Sequence, residues 1–478
     1  MNHFLRCQEL FLPDLSFCHN PSDPGITLRF FSTTIPGVRI PKGMQQGFLA
    51  TKPFRHGSFS PEKRSIKLIR NRVDAINTTR DLIYRVLIAG LVICLILTAG
   101  WAMYFKSTPS ACPATSQVFC SPSGETYGAE PNPTGNPIGG GDGYTRIISP
   151  TDPSVKYVVS TKDQLFAALK SAQSGEVIFV KSDANIDLTG TYNTVIPAGV
   201  TLASDRGSNG SPGGRIFRYR LNPPSLEKEL FKMSTLVVGG DNVRITGLRI
   251  EGNDTIQDEL FEDVGLEVMS AIEADERTGL EVDNCEIWGW SHAGVYLVNL
   301  DWSAAHASIH HNYIHHCQAR GYGYGIDVRG GTALIEANLF DYTRHAISGK
   351  GVPGEGYEAR YNIHLGHGSA MGGHHFDVHP YQSDETSQPI AGNEYKIHHN
   401  TFELTDMYSV GIRAVPEKGV WIDHNIFKNA NPPVFQKGPA GYGRIFMTDN
   451  LVGSYVSNHQ GVLGSNLSLY AEGPIALK

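Results

Sequence analysis

The sequence predicts an all-β solenoid, on three observations. From about residue 243 a short unit recurs: an apolar residue, two mostly polar ones, Asn, any residue, then an apolar one. It runs Ile309 to Ile314, Ile335 to Phe340, Ile397 to Phe402, Ile422 to Phe427 and Met447 to Val452. Looser copies put Leu248, Cys285 and Asn362 in the Asn slot, so that successive slots lie 37, 27, 26, 24, 38, 25 and 25 residues apart. A period of this size marks stacked repeats that bury their apolar faces against their neighbours. Within each copy apolar and polar residues alternate in twos, and Gly, Asn or Pro interrupts every few residues, which suits strands and leaves no room for helical repeats. The composition agrees: 52 glycines in 478 residues, and 18% charged residues against the roughly 25% usual for soluble domains.

In chain order, residues 1–81 show no sustained hydrophobic period and are broken by prolines, so no fold is assigned to them. Residues 1–85 carry 13 Lys and Arg against 6 Asp and Glu, whereas the rest carries 27 against 41. An acidic body of that kind is a poor partner for nucleic acid. Val86 to Phe105 is a run of 20 uncharged, mostly apolar residues, long enough to cross a hydrocarbon core of roughly 30 Å. A transmembrane helix over 82–105 is expected. Nine Lys and Arg in residues 52–85 place the N-terminus in the cytoplasm and the remainder outside or in a lumen. Residues 106–144, rich in Pro, Gly and Ser, read as a stalk in which Cys112 and Cys120 could form a disulfide. Asn209, Asn253 and Asn466 are glycosylation sequons.

The solenoid domain is then 145–478. Ser160 to Asp163 can cap a helix whose Leu165, Ala168, Leu169 and Ala172 share one face, suited to plugging the open end of the core. Short strands joined by Gly, Asp and Pro turns follow. An Asn fixed in one slot fits a turn that needs a left-handed residue, with its amide bonding the next Asn in the stack. This resembles the Asn ladder of right-handed parallel β-helices, the pectate-lyase-like superfamily, over roughly residues 155–453. The resemblance implies a right-handed, single-stranded parallel β-helix and a polysaccharide partner.

Aligning the second strand of each coil points Val295, Ile326, Ile347, Phe376 and Ile412 inward. One outward column then holds Tyr296, Asp327, Ser348, Asp377 and Arg413. The next holds Val298, Arg329, Lys350 and His379, with His375 on the same face. Glu336, Glu358 and Arg360 face outward from the strand before each Asn. Histidine concentrates here, 14 of 19 lying between His306 and His424. His364 breaks the repeat by replacing an apolar residue, as functional sites tend to do. Trp421 to His424 resembles the WIDH of pectate lyases and Gly366 to Gly368 the GHG of polygalacturonases, but neither has its companion motif.

Two chemistries fit these residue types. Elimination beside a uronate carboxylate needs a base and a cationic clamp, to be drawn from Lys350, Arg329, Arg344, His345, Arg360, His375 and His379. Asp327, Glu336, Glu358 and Asp377 could hold Ca²⁺. Hydrolysis needs two suitably spaced carboxyl groups, which Asp327 with Asp377, or Glu336 with Glu358, could supply. The resemblance favours a polysaccharide lyase. A glycoside hydrolase, a uronan epimerase and a non-catalytic wall-binding protein stand as alternatives.

Overall fold

The computed structural model describes residues 125–453 except 221–231, 254–267, 299–305, 320, 369–372, 382–390, 405–406, 430–431 and 437–443, together with residue 463 and the short segments 7–8, 17–18 and 119–120. The chain divides into units 1–89 and 90–478. In the first, Cys7–Gln8 pairs antiparallel with Phe17–Cys18. The expected membrane span, 82–105, lies outside the described residues; among those described, no helix is long and apolar enough to cross a membrane.

Three parallel sheets of eleven, ten and nine strands make up the second unit, and the chain visits them in turn. A representative coil runs through His306–His310 in the first sheet, Tyr313–Cys317 in the second and Tyr324–Arg329 in the third. It re-enters the first sheet at Thr332–Glu336, in register with His306–His310. Stacking like residues on like follows from the repeat. Ile309, Ile335, Ala359, Ile397, Ile422 and Met447 form one continuous column. Ile314, Phe340, His364, Phe402 and Phe427 form a second, and Val295, Ile326, Ile347, Phe376 and Val410 a third. Their apolar members are buried, apart from a partly covered Met447, and meet in one core. The helix Lys162–Ser171 starts on Thr161, whose hydroxyl accepts the Gln164 N–H. Its Leu165, Ala168 and Leu169 join that same core beside Val159 and Ile178.

The Asn stack is a buried ladder. Asn312, Asn338, Asn362, Asn400 and Asn425 each donate a backbone N–H and a side-chain N–H to the next Asn Oδ1, at 2.9–3.1 Å, ending on Asn450. At the other end Cys285 donates its N–H to Asn312 Oδ1. The left-handed residue of the turn is not the Asn, as the slot argument expects, but the residue before it: His311, Ala337, Tyr361, His399, His424 and Asp449 all have φ between 49° and 55°. The Asn keeps an ordinary backbone and turns its amide inward, while the left-handed residue carries its side chain outward. Where that residue is histidine its ring can stack along the turns: His399 lies on His424, rings 4.9 Å apart.

Residues 125–144, assigned by composition to the stalk, lie against the solenoid and run back along it. Gly128 donates to His424 O, Ala129 to Thr401 Oγ1, Gly139 to Ala337 O and Gly141 to Asn284 Oδ1. Tyr144 OH closes on Asp283 Oδ2 at 2.7 Å. Ala129 and Ile138 are fully buried with Tyr313, Ala337, Leu339 and Ile363. A side chain at Gly140 would come within 2.4 Å of the His311 carbonyl, so this segment needs glycine for contact with the coils, not for flexibility.

Candidate functional site

The polar outer face of the third sheet is built by a break in its alternation. Ala293 pairs with Tyr324, and Tyr324 with His345, yet the next ladder pairs are Val295–Ile326 and Ile326–Ile347, with the intervening residue skipped. His374–Tyr408 and Phe376–Val410 repeat the pattern. The skipped positions turn inward: a side chain at Gly325 would meet Phe340, and His375 packs against His364, rings 4.0 Å apart. Two successive residues therefore face the core, and His374 faces outward with Asp377. Strict alternation, which places His375 beside Asp377 and His379, is corrected here. His364 belongs to the core column, and its departure from the repeat is met by His375 inside the solenoid. Burial pushes the His364 imidazole down to about 4 and that of His375 well below its usual value.

On the outer face, Asp377 receives Arg413 Nε at 3.0 Å and a second guanidinium nitrogen at 2.6 Å. Arg413 reaches it from two places further along the next strand, because Asp377 pairs with Gly411; the sequence alignment put Arg413 directly opposite. His374 Nε2 lies 2.9 Å from Asp377 Oδ1, a contact that helps hold that carboxylate ionised. The His345 ring is 4.6 Å from that of His374, and its Nδ1 donates to the His374 carbonyl at 2.6 Å. Two coils back, Asp327 takes Arg329 Nε at 2.7 Å and has His292 Nε2 at 3.3 Å. Tyr296, Tyr322 and Tyr324 surround His292. Arg329 lies over Tyr296, and Arg344 over Tyr324.

Electrostatics fixes the charge states. Burial alone would raise the Asp377 carboxyl, but His374, then His345 and Arg413, outweigh it and hold it well below the usual carboxylate range. For Asp327 burial is likewise outweighed, chiefly by Arg329 and then His292. Burial lowers His345 strongly, helped by His374 and Arg344, and lowers His379. It lifts the Tyr296 and Tyr324 phenols to about 12. The face thus presents ionised carboxylates and guanidiniums, with His345 and His379 held below the ordinary imidazole range between them. His379 Nδ1 donates to Pro380 O at 2.6 Å, which leaves Nε2 with a free lone pair. Arg413 and Lys350 are among the charges that act on it.

The remaining predicted residues lie elsewhere. Glu336, Glu358 and Arg360 face outward on the first sheet, not the third, and form their own network: Arg360 bonds Glu336 at 2.6 Å and Glu358 at 2.7 Å. His398 approaches Glu358 at 3.3 Å. The four carboxylates predicted for Ca²⁺ are therefore split between two faces and each holds a guanidinium. Calcium wants six to eight oxygens, and this donor set does not fit it. In the WIDH segment Trp421 stacks on Phe446, Ile422 fills the core column, and Asp423 and His424 pair at 2.8 Å. These are repeat positions. His367 of the GHG segment sits 3.0 Å from Asp341, whose carboxyl burial raises to about 7 against the pull of His367.

With the coils and face in place, the chain can be set beside known proteins. The family model described as right handed beta helix region matches residues 228–359. The coils have the right-handed parallel β-helix fold. An alginate lyase from Paenibacillus sp. str. FPU-7 is similar at 15% identity and a TM-score of 0.37, covering 63% of this chain and all of the other. Jun a 1, the major allergen from cedar pollen, shares 11% identity at a TM-score of 0.32, over 66% of this chain and 82% of its own. A PL6 family alginate lyase shares 11% at 0.29, over 64% and 40%. No curated protein matches the sequence.

Sequence reasoning missed His374 and His292 as members of the β-helix's polar face. His292 lies just before the alignable strand. His374 was hidden by the alternation break, whose one visible trace is the small residue repeated at Gly294, Gly325 and Ala346.

Proposed function

We propose that this protein is a carbohydrate-active β-helix, anchored by the apolar run 86–105 with its C-terminal domain outside or in a lumen, and that it cleaves a uronate-containing polysaccharide by β-elimination. The helix Lys162–Ser171 would close the N-terminal end of its core. The observation that carries the elimination reading is the His379 imidazole, held neutral by burial with Nε2 free, beside Arg413 and Lys350. A neutral imidazole can take the proton adjacent to a carboxylate, and the guanidinium can hold that carboxylate while charge develops. Arg329 and Arg344, with the tyrosines around His292, would bind neighbouring sugars. Hydrolysis is less well served, because it needs one carboxyl group kept protonated. Asp327 and Asp377 are both held ionised.

The test is incubation of the protein with alginate, pectate and neutral polysaccharides. Ultraviolet absorbance from unsaturated chain ends is expected on a uronan. His379→Ala should lower it by the roughly 10²–10⁴-fold that a general base contributes. New reducing ends without that absorbance would replace the reading by a hydrolase.

A further inference from the structure

We propose that His345, His374 and Asp377 form a site for a divalent transition-metal ion of the zinc type. One ring nitrogen from each histidine and one oxygen of Asp377 lie within 4.8 Å of one another, and all three residues are buried. Two imidazoles and a carboxylate suit zinc and its neighbours, whereas calcium and magnesium favour all-oxygen shells. Three protein ligands with an open position are the arrangement of catalytic zinc sites.

Three further features fit a ligand set. His374 Nε2 is buried and lies 2.9 Å from Asp377 Oδ1, so two of the three ligand atoms already converge on one point. His345 commits its Nδ1–H to the His374 carbonyl, which fixes the tautomer and leaves Nε2 as the donor, as outer hydrogen bonds do for metal-binding histidines. Arg413 occupies two of the roughly four lone-pair directions of the Asp377 carboxylate. It orients the group and leaves it able to bind a cation. Donors in a tetrahedral site at about 2.0–2.2 Å from the metal must approach more closely than 4.8 Å, so modest side-chain rotation accompanies binding. The cations around the site, Arg413 and Arg344, offset the charge of Asp377, and the open position is therefore suited to an anion.

Among the described residues a second cluster, Glu281, Asp283 and His310, is more fully engaged: Asp283 takes Tyr144 OH as well as two nitrogens of Arg244, and Glu281 takes both Arg146 and His310.

The site is tested by metal binding alone, independent of whether the protein cleaves any polymer. Purified full-length protein, treated with chelator, is titrated with Co²⁺ and followed by its visible absorption. One tightly held Co²⁺ per chain, displaced by Zn²⁺, is expected. His345→Gln and His374→Gln should each weaken it by more than the roughly 10–100-fold that follows loss of an outer-shell partner. A His398→Gln/His399→Gln double variant, which alters partly buried imidazoles on another face, should leave it unchanged. X-ray absorption on the Zn²⁺-loaded wild type needs no variant and should show two imidazoles with oxygen in the remaining positions. Absence of stoichiometric binding overturns the assignment. So does binding that survives both His345→Gln and His374→Gln, or a zinc shell without two imidazoles.

Discussion

Replacing Asn338 by Ala should be among the most destabilising single substitutions in the solenoid, although no apolar group is lost. Its Oδ1 accepts from the Asn312 backbone N–H and Nδ2, both at 3.0 Å. Its Nδ2 donates to Ile309 O at 2.8 Å and to Asn362 Oδ1 at 3.1 Å. Alanine removes all four bonds. Asn312 Nδ2 retains Val282 O, and Asn362 Oδ1 retains the Asn338 backbone N–H. The Asn312 N–H is left without its acceptor in a fully buried turn. One orphaned buried group costs about 1–3 kcal/mol, and each lost net hydrogen bond adds about 0.5–1.5 kcal/mol. A loss of about 3–5 kcal/mol is expected. Asn450 occupies the same slot at the partly exposed end of the ladder, where water can replace the amide, so Asn450→Ala should cost only about 1 kcal/mol. Urea unfolding followed by circular dichroism compares the two. Equal costs, or a cost below about 1 kcal/mol for Asn338→Ala, would refute the claim that the buried ladder holds the turns in register.

Two further outcomes follow from burial. Ile138 is fully buried between the returning segment and the coils, so Ile138→Ala should lower stability by about 2–4 kcal/mol, and a fragment beginning at residue 145 should unfold at lower urea than one beginning at 125; equal midpoints would show that the segment is dispensable. Glu355 accepts from Gly351 and Val352 N–H and from Tyr395 OH, yet burial raises its carboxyl to about 8. It binds its proton more tightly folded than unfolded, so its contribution is complete below about pH 4 and is lost as pH rises toward 8. The stability of wild type relative to Glu355→Gln should therefore fall by on the order of 2 kcal/mol between pH 5 and 7, and a pH-independent difference would place the group elsewhere.

Most of the fold was legible because the repeat states it directly. Apolar residues at Ile309, Ile335, Ile397 and Ile422 recur in register and coincide with one column of the first sheet. The ladder of Asn amides was legible for the same reason, since an Asn at constant spacing has few other uses. The left-handed residue was not: His311, Ala337, Tyr361 and His399 have no chemistry in common, and their shared backbone leaves no mark on composition. The segment 125–144 misled through its glycines and prolines, which read as a flexible tether when judged locally. Their purpose is set by coils far later in the chain, as when Gly128 bonds His424 and Ala129 bonds Thr401, and no local pattern can carry that.

The face of the third sheet shows why the facing of its residues was only partly legible even where the register was nearly right. Alternation is a property of an unbroken ladder, and a single skipped pair exchanges inward and outward for every residue on one side of the break. Downstream of the break, Asp327, Arg329, Asp377 and His379 keep their expected direction. Upstream, His374 and His375 exchange roles. The exchange is also what creates the site. In a regular strand His374 and Asp377, three residues apart, point to opposite faces; with the break, both reach the same face from one strand, and Nε2 comes within 2.9 Å of Oδ1. Ala293, Tyr324 and His345 pair in succession at the upstream position, and His374 pairs there with Tyr408, so the break recurs in successive coils; between His345 and His374 it is the side-chain bond from His345 Nδ1 to the His374 carbonyl that joins them. A row of outward residues is thereby fixed on rigid strands, a more exact support than a loop. Filling that row with Tyr, His and His at adjacent coils is enough to assemble the polar cluster without disturbing the apolar column beneath it.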